Sequence, residues 1–245
     1  KYLLPITQHI VVFFYNKEVF ENAGIEPPAD WQQFLDSCGK LKQSGITPVA
    51  LGARERWPAQ FWFDYLLLRT AGPEYRTALM HGEKSYSDAE VVKVYKTWSS
   101  MITNGYFNND ANDKDWADAT EMVCRGDAAA TLMGTWAIQL LTGDSCNMEA
   151  GKGFDYFAFP VITPDIPNVS IGPVDGIVMT RSTGHRDVAS KVLAYASEEG
   201  PQKLMSTGSG ALAPSSQVSA QFYTPFKQRL LKEIQGADQW AFAYD

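Results

Sequence analysis

Short runs of β-branched and aromatic residues alternate with longer amphipathic segments along this chain of 245 residues. The run at residues 9–16, "HIVVFFYN", shows no polar alternation, which is typical of a strand buried on both faces. A helical segment follows it, with Asp30 as the predicted N-cap and apolar residues at helical spacing from Trp31 to Leu41. Strands that alternate with helices in this way predict an α/β fold.

The composition narrows the classes of partner. Apolar residues make up 45% of the chain, which is enough for a sizeable core. The formal net charge of −7 argues against a nucleic-acid-binding surface and fits ordinary solubility. No apolar run in the sequence approaches the roughly 20 residues that a membrane-spanning helix needs. We therefore predict no nucleic-acid partner and no membrane-spanning segment in this sequence.

The cysteines and the acidic segments give no metal-ligating pattern. Cys38, Cys124 and Cys146 form neither a CxxC pair nor a zinc-site spacing. Cys124 and Cys146 are candidates for a disulfide bond, but we favour separate buried thiols. The acidic segment at residues 108–118 lacks the ligand spacing and the central glycine of an EF-hand loop. The sequence therefore predicts neither a metal site nor a cofactor.

A search for catalytic motifs finds none. The sequence contains no GxSxG, no HExxH and no phosphate-binding P-loop. The histidines, His9, His81 and His185, lie far apart in the sequence, and no spacing nominates a pair of catalytic carboxylates. We predict that the protein is not an enzyme, although a glycoside hydrolase remains an alternative.

A tryptophan stands where a helix follows a strand of small residues. The predicted strand at residues 128–133 is followed by Gly134 and Thr135, and Trp136 then begins the helix. In α/β folds, ligands bind beyond the carboxyl ends of the strands. A rigid indole ring at that place can stack on the C–H face of a sugar ring, while polar side chains bind the hydroxyl groups. We predict that Trp136 is a sugar-stacking platform; core packing is the alternative.

Four stretches, taken together and in order, resemble a known family. They are "FFYNKEVFENAGIEPPADWQQFLDSCGKLK", "GITPVALG", "VCRGDAAATLMGTWAI" and "DGIVMTRSTGHRDVASKVLAYASEEGPQKLM". They look like consecutive blocks of the family 1 extracellular solute-binding proteins of ABC sugar importers. The sequence departs from the family pattern at Thr131 and Leu132, one of which falls where the family has a methionine. It also has Val174-Asp175-Gly176 in place of paired glycines.

The resemblance implies a fold with two lobes. The expected fold class is α/β, similar to the type II periplasmic binding proteins, with several hinge crossings and one incomplete lobe, because family members carry a further segment before these blocks. Residues 10–160 and 209–245 would form the C-terminal-type lobe, and residues 1–9 and 161–208 part of the N-terminal-type lobe. The expected crossings lie near Ile10, Pro160 and Gly208. An incomplete lobe would leave apolar surface uncovered, at "DGIVMT" and at Val188, Val192 and Tyr195.

The resemblance also implies a set of ligand-binding residues. Trp136 corresponds to the stacking ring, Asp175 lies on a returning strand, and the others match positions at which family members place aromatic or polar contacts. The implied set is Trp136, Trp57, Asp175, Gln8, His9 and Trp240.

The function implied by the resemblance is binding. The protein would bind a mono- or oligosaccharide and deliver it to the permease subunits of an ABC importer. It would be periplasmic or extracellular, and associated with the membrane only through a removed or missing lipid anchor. A polyamine- or peptide-binding protein on a similar fold remains an alternative, as does a glycoside hydrolase.

Overall fold

A computed structural model describes residues 3–243 of the chain. The strands are β1 (Leu4–Gln8), β2 (Val11–Asn16), β3 (Thr47–Ala50), β4 (Ala128–Gly134), β5 (Phe154–Phe157), β6 (Val169–Ile171), β7 (Val174–Ile177) and β8 (Gln239–Ala241). The helices are α1 (Lys17–Asn22), α2 (Trp31–Gln43), α3 (Trp57–Thr70), α4 (Gly72–Met80), α5 (Ala89–Thr103), α6 (Trp116–Arg125), α7 (Ala137–Thr142), α8 (Arg186–Ala196), α9 (Glu199–Ser209) and α10 (Pro225–Gly236), with a 3₁₀ helix at Ala220–Phe222. The predicted α/β fold is confirmed.

The main sheet has the strand order β3-β4-β2-β5 and carries the largest core. Strand β2 pairs antiparallel with both β4 and β5, while β3 pairs parallel with β4. Every residue of β2 is buried, as its unbroken apolar sequence predicts. The register pairs Val11 with Gly134, so the start of β2 lies beside the end of β4.

The helices that cover this sheet follow their sequence patterns. The Asp30 side chain accepts a hydrogen bond from the backbone N–H of Gln33 at 2.9 Å, which confirms the predicted N-cap of α2. The buried residues of α2 are Phe34, Cys38 and Leu41, all on one face. Helix α3 is buried on most of its surface, and Trp62 within it is fully buried.

A second, two-stranded sheet pairs β1 with β7 in antiparallel orientation, and α9 packs against β1. Only His9 and Ile10 separate β1 from β2, so the chain passes from one sheet to the other within two residues. Strand β6 pairs with β8, and Val169 and Ile171 of β6 belong to the main core. The outermost residues of the expected lobes, 1–2 and 244–245, lie outside the described residues.

Apolar side chains are exposed on α8 and directly after β7. Val188, Val192 and Tyr195 of α8 are 61%, 53% and 60% exposed, and Val178 after β7 is 56% exposed. Val188, Val192 and Tyr195 lie four and three positions apart, so they share one face of α8. The expectation of uncovered apolar surface in this region is confirmed.

Cys124 and Cys146 form a disulfide bond, with their Cα atoms 5.6 Å apart. The expectation that both are separate thiols is therefore wrong. Cys124 lies near the end of α6, and α7 packs against α6, so the loop after α7 is brought back to that cysteine. Cys38 is a free, buried thiol.

Candidate functional site

The candidate site lies where β1 ends and β2 begins. The pairing of β2 with β4 places His9, just before β2, beside Thr135, just after β4. The backbone N–H of Thr135 donates to the carbonyl of Ile10 at 3.1 Å, which fixes this junction. The carboxyl end of β4 therefore meets the connection between the two sheets, which is where a ligand of an α/β protein is expected.

Three aromatic rings meet at this junction and form what we call the aromatic corner: Trp57, Phe61 and Trp136. The centroid of the Trp136 ring is 5.8 Å from that of Trp57 and 6.2 Å from that of Phe61. Trp57 begins α3, and Phe61 follows one turn later on the same face. The His9 ring meets Trp136 nearly edge-on, with centroids 5.1 Å apart.

Trp136 is half-buried because its indole ring lies directly on the backbone of Gly134. A Cβ atom at position 134 would overlap the six-membered part of the indole ring. Glycine is thus required at position 134 because the Trp136 ring approaches its backbone closely, and not because its backbone angles are unusual. The ring combines a packed edge with a partly exposed surface, which lies between the two readings that the sequence leaves open.

Trp57, the second tryptophan of the aromatic corner, is held in place by a hydrogen bond. Its Nε1 donates to Oε2 of Glu55 at 3.2 Å. Arg56, which precedes it at the N-cap of α3, has a φ of 67°, a left-handed backbone that is costly for a side chain other than glycine. Strained backbone of this kind tends to be retained at functional loops, because the surrounding structure holds it in place.

Four polar side chains form a continuous chain beside the corner, and we call it the polar chain: Thr7, Asp175, His9 and Thr135. Thr7 Oγ1 donates to Asp175 Oδ2 at 2.5 Å, because β1 and β7 pair these two residues. His9 Nε2 lies 3.4 Å from the same oxygen, and His9 Nδ1 lies 2.8 Å from Thr135 Oγ1. His9 is 4% exposed, whereas the Asp175 side chain is 61% exposed.

Burial lowers the pKa of His9 below its ordinary value of 6.5. The negative charge of Asp175 and its hydrogen bond act in the opposite direction, and Lys227 lowers the pKa further. Desolvation is the largest of these effects, so the imidazole is neutral at pH 7. A buried neutral imidazole has one N–H and one acceptor nitrogen, and each needs a partner.

Trp240 and Gln8 lie at the edge of the site. The Trp240 ring packs against Gly172, whose backbone closely approaches the carbonyl of His9. The Trp240 Nε1 is buried and has no hydrogen-bond acceptor among the described residues. Gln8 exchanges both backbone hydrogen bonds with Leu212, at 2.8 Å each.

The structure thus brings together Trp136, Trp57, His9 and Asp175, with Gln8 and Trp240 beside them. Sequence reasoning missed Phe61, Thr7 and Thr135. Phe61 had a usable signal, since it follows Trp57 by four residues in a predicted helix. Within residues 3–243, no three His, Cys, Asp or Glu side chains lie close enough together to hold a metal ion.

The fold is an α/β fold of the type II periplasmic-binding-protein kind. The chain belongs to the bacterial extracellular solute-binding protein family, whose family model matches residues 1–203. Membership of this family indicates a periplasmic or extracellular location. No helix between residues 3 and 243 is both long enough and apolar enough to cross a membrane.

Sequence relatives support this membership. An uncharacterized ABC transporter extracellular-binding protein of Pyrococcus horikoshii is 29% identical over 240 residues, which are 97% of this chain and 52% of that protein. A probable sugar-binding periplasmic protein of Mesorhizobium japonicum is 30% identical over 136 residues, 54% of this chain and 32% of that protein. The chain thus spans at most about half the length of these curated relatives.

Solved structures agree in fold. The bacterial solute receptor AcbH, described as having an exclusive preference for β-D-galactopyranose, superposes with a TM-score of 0.89 at 27% identity. The match covers 98% of this chain and 61% of that receptor. A chitin oligosaccharide binding protein superposes with a TM-score of 0.87 at 23% identity, over 99% of this chain and 61% of that one. The second likeness shows the fold alone.

Proposed function

We propose that this protein binds an uncharged saccharide at the aromatic corner and delivers it to an ABC importer. The observation that carries the proposal is the half-buried Trp136 ring, which lies at the carboxyl end of β4 between Trp57 and the polar chain. An aromatic ring that its neighbours hold in place and that is still partly exposed can stack on a sugar without much loss of side-chain entropy.

The charge beside the corner disfavours an anionic ligand and suits a ligand that is rich in hydroxyl donors. Asp175 Oδ2 already lies next to two donors, Thr7 and His9, while the rest of its exposed carboxylate remains available. An ionised carboxylate only accepts hydrogen bonds, so its natural partners are the hydroxyl groups of the ligand. A ligand carboxylate or phosphate at the same place would be repelled by it.

The names of the related proteins agree with this ligand class. AcbH is described as a galactopyranose receptor, and the Mesorhizobium relative as a probable sugar-binding protein. Because the chain spans only 61% of AcbH and 32% of the Mesorhizobium relative, we carry over the chemical class and not a particular sugar.

We further propose two lobes that close on the ligand by bending at His9 and Ile10. The resemblance divides the chain into one lobe of residues 10–160 and 209–245 and another of residues 1–9 and 161–208. The pairing of β6 with β8, and the burial of β6 in the main core, favour a second crossing nearer to Gly172 than to Pro160. Closure is then stabilised by contacts that the saccharide makes to both sheets.

The remaining partners follow from the transport role. The closed form would be recognised by the permease subunits, and a lipid anchor would hold the protein at the membrane. The disulfide between Cys124 and Cys146 supports an oxidising, extracytoplasmic compartment. The proposed activity is binding without turnover, in contrast to a glycoside hydrolase.

Titration calorimetry with galactose, chitobiose, mannobiose and raffinose tests the proposal. At least one sugar is expected to bind and to be recovered uncleaved, and Trp136→Ala should abolish its binding. Trp31→Ala is the matched control, because Trp31, at the start of α2, is also partly buried but packs on Phe34 and Phe159. Cleavage of the sugar, or equal binding by the wild type and Trp136→Ala, would refute the proposal.

A further inference from the structure

The polar chain connects the two sheets through a single imidazole ring. Thr135 follows β4 of the main sheet, and Asp175 lies on β7 of the second sheet. His9 stands between them, with Nδ1 facing Thr135 and Nε2 facing Asp175. Whether His9 donates to Asp175 therefore depends on which nitrogen of the ring carries the proton.

The chemistry of Asp175 and Thr135 determines which nitrogen of His9 carries the proton. The carboxylate of Asp175 is an acceptor, so a neutral imidazole faces it favourably only with an Nε2–H. Nδ1 is then a lone pair, buried with the ring, and it needs a donor. The Thr135 hydroxyl, 2.8 Å away on a residue with no exposed surface, is placed to be that donor.

We infer that Thr135 is a positioning residue of the binding site: its hydroxyl donates to His9 Nδ1, holds Nε2–H toward Asp175 and thereby orients the Asp175 carboxylate. This inference rests on the proposed function for its effect on ligand affinity, but its effect on His9 can be measured without any ligand. Oδ2 of Asp175 is held by Thr7 and His9, which leaves Oδ1 to accept a ligand hydroxyl.

The order Thr135–His9–Asp175 resembles a nucleophile, base and acid, but burial excludes a nucleophilic role. Catalysis of that kind needs a hydroxyl that the substrate can reach. Thr135 has no exposed surface, and its hydroxyl faces the imidazole from within the core. Its role is therefore to position His9 and not to attack a substrate.

The test is nuclear magnetic resonance, at pH 7.5, of protein whose histidine ring nitrogens carry an isotopic label. The signals of His9 are identified as those missing from a His9→Gln variant. Wild type is expected to show the Nε2–H tautomer with an Nδ1 that accepts a hydrogen bond. In Thr135→Val, the Nδ1 resonance should shift to the position of a nitrogen that accepts no hydrogen bond. Thr135→Ser, which keeps the hydroxyl group, should return it to the wild-type position. Asp175→Asn should lower the pKa of His9, because the negative charge of Asp175 raises it.

The matched control is Thr131→Val, which removes another buried hydroxyl from β4. Thr131 donates to the carbonyl of Ala50 at 3.0 Å and not to His9. We expect Thr135→Val to weaken saccharide binding by about fivefold or more. This is the change in affinity that the loss of one ordinary hydrogen bond typically causes. Thr135→Ser and Thr131→Val should leave the affinity within about twofold of wild type.

Separate results would overturn the inference and the proposed function. A wild-type His9 that carries its proton on Nδ1 overturns the inference, whatever the protein binds. Equal saccharide affinity of wild type and Thr135→Val also overturns it, and leaves the proposed function standing. Equal saccharide binding by the wild type and Trp136→Ala overturns the proposed function, while the His9 resonances still decide the role of Thr135.

Discussion

The contact between Gly134 and Trp136 allows a sharp test of how the aromatic corner is built. A Cβ atom at position 134 would overlap the indole ring of Trp136, and the ring is confined by Trp57, Phe61 and His9. Gly134→Ala must therefore push the ring out of place. Overpacking of this kind typically costs about 1–3 kcal/mol, and we expect about 2 kcal/mol here.

The cost of Trp136→Ala follows from the partial burial of the ring. A fully buried Trp→Ala change costs about 3–5 kcal/mol. Trp136 is partly exposed although several side chains pack against it, so we expect its removal to cost less, about 2 kcal/mol. Without the ring, an alanine at position 134 meets no obstacle from it, so the double variant should be about as stable as Trp136→Ala alone.

The assay is urea denaturation followed by far-UV circular dichroism, since tryptophan fluorescence changes with the substitution itself. Gly39→Ala is the control, because Gly39 lies within α2 and a Cβ there has nothing within 4 Å. Gly39→Ala should stabilise the protein by about 0.5–1 kcal/mol. The reasoning is refuted if Gly134→Ala leaves stability unchanged, or if it costs the same with and without Trp136.

Three further predictions concern the pH dependence of stability, the disulfide bond and a buried ion pair. Because burial holds the folded-state pKa of His9 below 6.5, the unfolded chain takes up the proton first. The free energy of unfolding should fall as the pH drops below about 6.5, and fall less in His9→Gln; parallel curves for the two proteins would contradict this. Replacing Cys124 and Cys146, which are 22 residues apart, by serine should lower the denaturation free energy by about 3 kcal/mol; an unchanged midpoint would contradict that. Asp64→Asn should cost about 3–5 kcal/mol in the same assay, since Asp64 and Arg76 form a buried ion pair at 2.8 Å; a loss below about 1 kcal/mol would contradict that.

The parts of the fold that depend on local sequence could be predicted. Strand β2 has a continuous apolar sequence, and α2 has both a capping aspartate and an apolar stripe, so each carries its own signal. Helix α4 has no such signal, because it begins at Gly72 and Pro73 without a side-chain cap. The disulfide could not be predicted, because it depends on how α7 packs against α6.

The candidate site also combines residues that local sequence can predict with residues that only strand pairing brings together. Trp136 could be nominated from its own neighbours in the sequence, a small-residue strand before it and a helix after it. The link between Thr7 and Asp175 depends on the register of β1 against β7, which joins residues 168 positions apart. The contact between Thr135 and His9 could not be predicted, because it arises only through the pairing of β2 with β4.

The central claim is that a saccharide stacks on Trp136, and the most direct measurement is a crystal structure of the protein grown with a sugar that binds in calorimetry. The account predicts a sugar ring in contact with the Trp136 indole, with a hydroxyl group within hydrogen-bond distance of Asp175. A sugar bound elsewhere, with the Trp136 ring still packed and unoccupied, would contradict it.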